Sequence, residues 1–296
     1  MGVAEMANGL TRRSLMAGCG GFALGGMAPA NLQALEAQAG GRLGFALLDT
    51  GTGKIIGHRM DERFGMCSTF KLPLAGLVLQ AAERGELKLD TLLPITQADL
   101  VPHAPETGPN VGKAMRIRDL ARVAQMTSDN VAANLLIKQL GGPAGVTKRL
   151  RALGDKATRL DRMEPEMNRV IGNDPRDTTT PRAMAETVAR LLTNDALTPA
   201  SRKLLGQWMA DTQTGMRRLR AATPPGWTAG DKTGTGMTKG MPNRVNDVAI
   251  FWPPKGAPLV AAAFYEAPGH FPNSRPQDEA VLVQAMQIAL PPSLQP

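Results

Sequence analysis

Ser68-Thr69-Phe70-Lys71-Leu72-Pro73-Leu74-Ala75-Gly76-Leu77-Val78-Leu79 is where this chain turns from strand to helix. Leu72, Ala75, Val78 and Leu79 recur near the three-to-four residue spacing that gives a helix one apolar face, and Gly85 supplies a stop. Upstream, a short helix over 32–38 precedes two apolar runs, Leu43 to Asp49 and Lys54 to His58. Gly51-Thr52-Gly53 joins them, which is a hairpin pattern. Downstream the helical spacing continues over 117–126, 131–140, 181–192 and 202–209. Strand patterns return only at 227–230, 245–252 and 259–265, and a last helix over about 278–290 has acidic residues in its first turn. Strands at both ends with helices between them predict an α/β (α+β) fold. Both chain ends share one antiparallel sheet flanked by helices, and the middle forms its own helical layer. The expected division is 31–60 with 210–296 as a discontinuous α/β domain and 61–209 as an inserted all-α domain, with the active site between them.

Four short strings supply chemistry in a fixed order: Ser68-Thr69-Phe70-Lys71, Ser128-Asp129-Asn130, Glu164-Pro165-Glu166-Met167-Asn168 and Lys232-Thr233-Gly234. An S-x-x-K alone is expected roughly once by chance in a chain of this length, but the conjunction is rare. Three residues apart on a starting helix, Ser68 and Lys71 share a face, so an amine lies beside a hydroxyl that needs a base to become nucleophilic. Taken alone, Ser68 would be read as a helix cap and Lys71 as a solvated lysine. Capping is also a sufficient account of Asp129. Glu164 adds a separate carboxylate able to activate water, and Lys232 with its neighbouring hydroxyls makes an anion site on a glycine-rich strand edge.

These strings resemble the class A serine β-lactamases, and the resemblance extends over nearly the whole chain after residue 30. It implies a two-domain β-lactamase/transpeptidase-like fold and hydrolysis of the β-lactam amide bond through a Ser68 acyl-enzyme. Lys71 and Ser128 would move protons, Ser128 to the leaving nitrogen, and Glu164 would activate the deacylating water with Asn168 helping to place it. Whether Lys71 or Glu164 is the acylation base stays open. Asn130 would hold Lys71 and the substrate amide. Lys232, Thr233, Gly234 and Thr235 would form the carboxylate-binding strand, and the Ser68 and Thr235 backbone N–H groups the oxyanion hole. Arg218 is the expected carboxylate-binding arginine, with Arg217, Arg220 and Arg244 as nearby alternatives. His103 takes the rim position usually held by an aromatic gatekeeper, unless it is simply an exposed loop histidine. Arg162 and Asp177 would clamp the base of the Glu164 loop, and the Glu164-Pro165 bond would be cis. Some family members join the position of Cys67 to that of Gly236 by a disulfide, which glycine excludes here. A penicillin-binding peptidase shares the serine, the lysine and the cationic strand, and Glu164 argues against it; a non-catalytic acylated sensor would normally need a membrane link, and no spanning segment is visible in the sequence.

The 296-residue chain carries a formal charge of +8 with 43% hydrophobic residues, ordinary for a soluble domain. Its basic residues are dispersed without aromatic interleaving, which excludes a nucleic-acid groove. Small-molecule β-lactams are the expected partners of a monomeric enzyme, without cofactor or stable membrane insertion. His58, His103 and His270 have no metal-ligand spacing and Cys67 has no partner, so no metal is expected. Residues 1–30 read as an export signal, with Arg12-Arg13 as a twin arginine, a Gly/Ala-rich apolar stretch and a cleavage site at Ala28-Pro29-Ala30. The expected location is therefore periplasmic or secreted, with a lipoprotein attached at Cys19 as the alternative. A sole mature cysteine fits folding before transport.

Overall fold

A computed structural model describes residues 28–290. The twin arginine and Cys19 lie outside the described residues, and the first helix takes in Ala28-Pro29-Ala30, where the cleavage site is expected. From the N-terminal end, α1 (Ala28–Ala39) leads into β1 (Arg42–Asp49), β2 (Ile55–His58) and the short β3 (Phe64–Gly65). The middle contains α2 (Lys71–Glu83), β4 (Leu92–Pro94), β5 (Ala114–Arg116), α3 (Ile117–Met126), α4 (Asn130–Gln139), α5 (Gly142–Ala152), β6 (Thr178–Thr179), α6 (Pro181–Thr193) and α7 (Pro199–Ala210). The chain returns through β7 (Thr228–Gly236), β8 (Arg244–Trp252) and β9 (Leu259–Glu266) to α8 (Pro276–Ala289).

Both chain ends build one five-stranded antiparallel sheet in the order β2-β1-β9-β8-β7. Alternate residues point to opposite faces, and both faces are covered. Phe45, Leu47, Ala261 and Ala263 face a core shared with Leu32 of α1 and Leu282 and Met286 of α8. Ala46, Val248, Ile250, Val260 and Ala262 face the larger helical core with Leu72, Leu79, Leu120, Leu136 and Val188. Burial on both faces explains why β1 and β9 read as near-continuous apolar runs instead of alternating ones. β7 is an edge strand, and Lys232 to Thr235 lie on it.

The structure differs from the sequence expectations in three places. The 61–209 segment expected to be all-α also carries two short strand pairs, β4 with β5, and β3 with β6. α5 has no counterpart among the expected helices, because Gly142, Pro143 and Gly145 break the apolar pattern at its start; Gly142 has a positive φ and proline is tolerated in the first turn. β7 runs six residues beyond the expected stop at Gly230, through the polar stretch ending at Gly236, because ladder pairing with β8 from Thr228 to Gly236 overrides the weak strand preference of glycine and aspartate.

Candidate active site

A turn of 3-10 helix, Cys67–Phe70, feeds directly into α2 and puts Ser68 one turn before Lys71. Lys71 Nζ donates to Ser68 Oγ at 2.9 Å, to the Ser128 carbonyl at 2.7 Å, and to Asn130 Oδ1. Its side chain has no solvent exposure, and Glu164 Oε1 lies 3.2 Å from Nζ. Burial pushes the Lys71 ammonium below its usual range, and the Glu164 carboxylate opposes that shift.

Ser128 lies in the connection from α3 to α4. Asp129 caps α4 through Ala132 N, and it also accepts from Glu106 N, Thr107 N and Thr107 Oγ1. Asp129 is thus a structural residue that caps α4 and ties it to the 106–107 loop. With Asp129 fixed, Ser128 and Asn130 point to the other side. Ser128 Oγ accepts from Lys232 Nζ at 3.0 Å and stands 3.4 Å from Lys71 Nζ, so this hydroxyl bridges the two buried ammoniums. Cys67, His103 and Ser128 all have φ between 47° and 64°. Such conformations cost a non-glycine residue on the order of 1–3 kcal/mol, and here they cluster around one cleft.

Glu164 is 2% exposed. Asn134, four residues after Asn130 on α4, holds its backbone from both sides, donating to the Glu164 carbonyl and accepting from its N–H at 2.9 Å each. The Glu164-Pro165 bond is cis. Glu164 Oε2 accepts from Asn168 Nδ2 at 2.6 Å, and Ser68 Oγ donates to Oε1 at 3.4 Å. At the base of the loop, Asp177 accepts from Asp161 N, Arg162 N and, at 2.5 Å, Arg162 Nε.

On the opposite wall, β7 passes so close to the 67–70 turn that a Cβ at Gly234 would sit 2.7 Å from the Met66 carbonyl. That contact requires glycine at this position. Lys232 is fully buried and donates to Ser128 Oγ and the Thr233 carbonyl. Burial first, and the Lys71 charge second, push its ammonium down to about 7, while Asp231 and Asp247 pull it up. Burial raises both of those carboxyls, Asp231 to about 6. Arg218 runs behind the strand. Its Nη1 donates to the Gly234 and Asn246 carbonyls, its Nε pairs with Glu279, and its Nη2 reaches Thr235 Oγ1 at 2.8 Å. Arg220 is bound to Asp231, Arg244 to Glu266 and the Glu164 loop, and Arg217 is mostly exposed.

Ser68, Ser128, Asn130, Glu164, Asn168, Thr233, Thr235 and His103 thus line one cleft of about 230 Å³. Lys71, Lys232, Gly234 and Arg218 lie immediately behind its walls, and the Arg162–Asp177 pair stands at the loop base, away from the cleft. His103 is an exposed rim residue whose ring Nε2 meets the Thr127 carbonyl. Three supporting roles escape sequence reasoning, Arg244 being named there only as an alternative carboxylate-binding arginine. The i, i+4 relation to Asn130 would have flagged Asn134. Thr214, which accepts from Thr233 Oγ1, and Arg244 leave no local signal. Cys67 is a buried free thiol, pushed up to about 11 by burial, and a Cβ at Gly236 would lie 2.9 Å from its sulfur. Among the described residues no group of three or more His, Cys, Asp or Glu side chains could hold a metal ion, and no helix is long and apolar enough to cross a membrane.

The family model described as the β-lactamase enzyme family matches residues 28–290. β-Lactamase L2 of Stenotrophomonas maltophilia is 48% identical over 263 residues, spanning 88% of this chain and 84% of the relative. The carbapenem-hydrolyzing β-lactamase KPC of Klebsiella oxytoca is 39% identical, spanning 95% and 97%. A solved ancestral (GNCA) class A β-lactamase superposes with a TM-score of 0.82 at 46% identity, covering 88% of this chain and 98% of its own. A β-lactamase from Xanthomonas campestris pv. campestris gives a TM-score of 0.82 at 44% identity, covering 88% and 96%. With the serine, the two buried lysines and the loop carboxylate around one cleft, these matches place the chain in the class A β-lactamase family, the serine hydrolases of β-lactam antibiotics.

Proposed function

We propose that Ser68 is the nucleophile, and that its acyl-enzyme with a penicillin or cephalosporin is cleaved by a water molecule activated by Glu164. The observation that carries this reading is the position of one hydroxyl between two bases: Ser68 Oγ is 2.9 Å from Lys71 Nζ and 3.4 Å from Glu164 Oε1. In acylation, Ser68 Oγ bonds to the lactam carbonyl carbon while its proton leaves to Lys71, or to Glu164. As the ring C–N bond breaks, the nitrogen takes the Ser128 hydroxyl proton, and Lys232 or Lys71 replaces it across the contacts at Ser128 Oγ. In deacylation Glu164 removes a proton from water, the hydroxide attacks the ester carbon, and as the ester C–O bond breaks the proton on Glu164 passes to Ser68 Oγ, 3.4 Å away, so that the acid product leaves and both groups are restored. Asn168, bonded to Glu164 Oε2, supplies an amide beside that water's position.

The substrate carboxylate would lie against Thr233 and Thr235, with Lys232 beneath and Arg218 aligning the Thr235 hydroxyl. Asn130 would hold the substrate side-chain amide and His103 the cleft rim. The leader pattern at Arg12-Arg13 supports export to the periplasm, where such substrates arrive.

Glu164→Gln separates the two half-reactions. With a chromogenic cephalosporin in excess, the wild-type enzyme should turn over many times. The variant should release about one equivalent and hold a covalent adduct on Ser68, its deacylation slowed about 10²–10⁴-fold. Steady multiple turnover by the variant would remove Glu164 from the role.

A further inference from the structure

We propose that Arg244 is a positioning residue for deacylation, clamping the backbone of the Glu164 loop to the end of the β-sheet. The inference rests on the deacylation role proposed for Glu164 and Asn168. Arg244 opens β8, and the register puts it directly opposite Glu266 at the end of β9, which in turn faces Arg42 at the start of β1. The side chains follow that register: Arg244 Nε donates to Glu266 Oε1 at 3.1 Å, and Arg42 Nη1 to Glu266 Oε2 at 3.0 Å. Arg42 also packs over the Phe64 ring at 3.9 Å. A row of alternating charge therefore crosses three strands, and its last member turns away from the sheet.

The two remaining nitrogens of Arg244 leave the sheet for the loop. Nη1 donates to the Asn168 carbonyl at 3.2 Å and Nη2 to the Val170 carbonyl at 2.7 Å. Arg244 is 5% exposed, so water cannot easily replace either bond, and a buried guanidinium holds its acceptors more tightly than an exposed one. Space for it is built in: a Cβ at Gly65 would stand 3.0 Å from Arg244 Nε. The held carbonyl belongs to Asn168, whose own side chain grips Glu164 Oε2 at 2.6 Å. The other anchors act elsewhere. Asn134 fixes the Glu164 backbone, and Arg162 with Asp177 closes the loop base, where Arg162 Nη1 takes the Arg169 carbonyl. Arg244 alone among them joins the loop to the sheet that carries Lys232, and so sets the distance between the water-activating wall and the anion-binding wall.

The test compares Arg244→Met and Glu266→Gln with wild type, separating acylation from deacylation by rapid mixing with a chromogenic cephalosporin and by the mass of the trapped adduct. Arg244→Met should acylate within about threefold of wild type and deacylate about 10–100-fold more slowly, the penalty of a misplaced catalytic group. kcat and KM should then fall together, leaving kcat/KM nearly unchanged. Glu266→Gln retains the arginine and should shift the same two constants in the same direction by less, and it carries the test if Arg244→Met does not fold. An equal loss of acylation and deacylation, or an unchanged deacylation rate, overturns the proposal. A trapped adduct in Glu164→Gln without one in the Arg244 and Glu266 variants would reject the clamp while sparing the role of Glu164. Free turnover by Glu164→Gln would reject the reading beneath it.

Discussion

Asp177→Asn should loosen the Glu164 loop and slow deacylation. Asp177 has no solvent exposure, and its two oxygens accept three bonds, from Asp161 N at 2.7 Å, Arg162 N at 3.0 Å and Arg162 Nε at 2.5 Å. An asparagine has one acceptor oxygen. If that oxygen keeps the two backbone donors, its NH2 group points at Arg162 Nε–H, and the pair must open. Removing one partner of a buried ion pair costs about 3–5 kcal/mol. Arg162 keeps a side-chain exposure of 22% and can turn partly to water, so we expect about 2–3 kcal/mol. For a domain of this size that corresponds to a fall in Tm of roughly 4–10 °C. The φ of Asp177 is +57°, a conformation that asparagine tolerates as well as aspartate, so the substitution removes charge without adding backbone strain. Loss of the Arg162 anchor also frees the Arg169 carbonyl, one residue from Asn168. Single-turnover measurement should show acylation nearly preserved and deacylation about tenfold or more slower. A lowered Tm with an unchanged deacylation rate would refute the link between the loop base and the carboxylate it carries.

Two further outcomes follow from contacts in the cleft walls. Gly236→Cys should form a disulfide with Cys67, because its Cβ would stand 2.9 Å from that sulfur, near the separation a disulfide sets, and Gly236 is not in the left-handed region. Stabilisation of about 2–4 kcal/mol that reductant abolishes is expected, and titration of two free thiols in the unfolded, unreduced variant would contradict it. Lys232 should set the alkaline limb of kcat/KM. With its ammonium pushed down to about 7, the cation is present in the free enzyme below that pH and lost above it, while a bound carboxylate would favour the charged form and hold kcat flatter than kcat/KM. In Lys232→Arg the charge persists, so the limb should move to higher pH; an unmoved limb would assign it to another group.

The sequence announced the candidate site residues better than the architecture that aims them. Helix spacing located α2, α3, α4 and α6 because their apolar residues pack into a common core, although α2 and α4 are buried almost all round and not on one face alone. The four strings located the cleft because their residue types are rarely found in that order by accident. α5 escaped detection because its first turn holds two glycines and a proline. The full length of β7 escaped because a strand made of Thr228 to Gly236 owes its form to its partner β8 and to close contact with the 67–70 turn. The loop contact of Arg244 and the placement of Thr214 were illegible for a related reason. Each acts through a contact between segments far apart in the chain, and no local pattern records such a contact.

The same distinction separates the two buried lysines, whose burial and counter-ions no local pattern records. Lys71 has a carboxylate partner, Glu164, 3.2 Å away, and its hydrogen bonds run to Ser68 Oγ, Asn130 Oδ1 and both oxygens of Ser128. Its charge is largely answered within the protein. Among the described residues Lys232 has no carboxylate within 4.0 Å; it donates only to the Ser128 hydroxyl and to its neighbour's carbonyl. The nearby carboxyls are otherwise engaged: Asp231 is held by Arg220, Asp247 accepts from Leu219 N, and burial biases both toward their neutral forms. A buried ammonium without a counter-ion is costly to maintain, and an anion in the adjoining cleft would offset that cost. The fold therefore leaves Lys71 within proton-exchange distance of Ser68 and Glu164, and Lys232 as a buried ammonium whose missing counter-ion, under the proposed function, the carboxylate of an incoming β-lactam would supply.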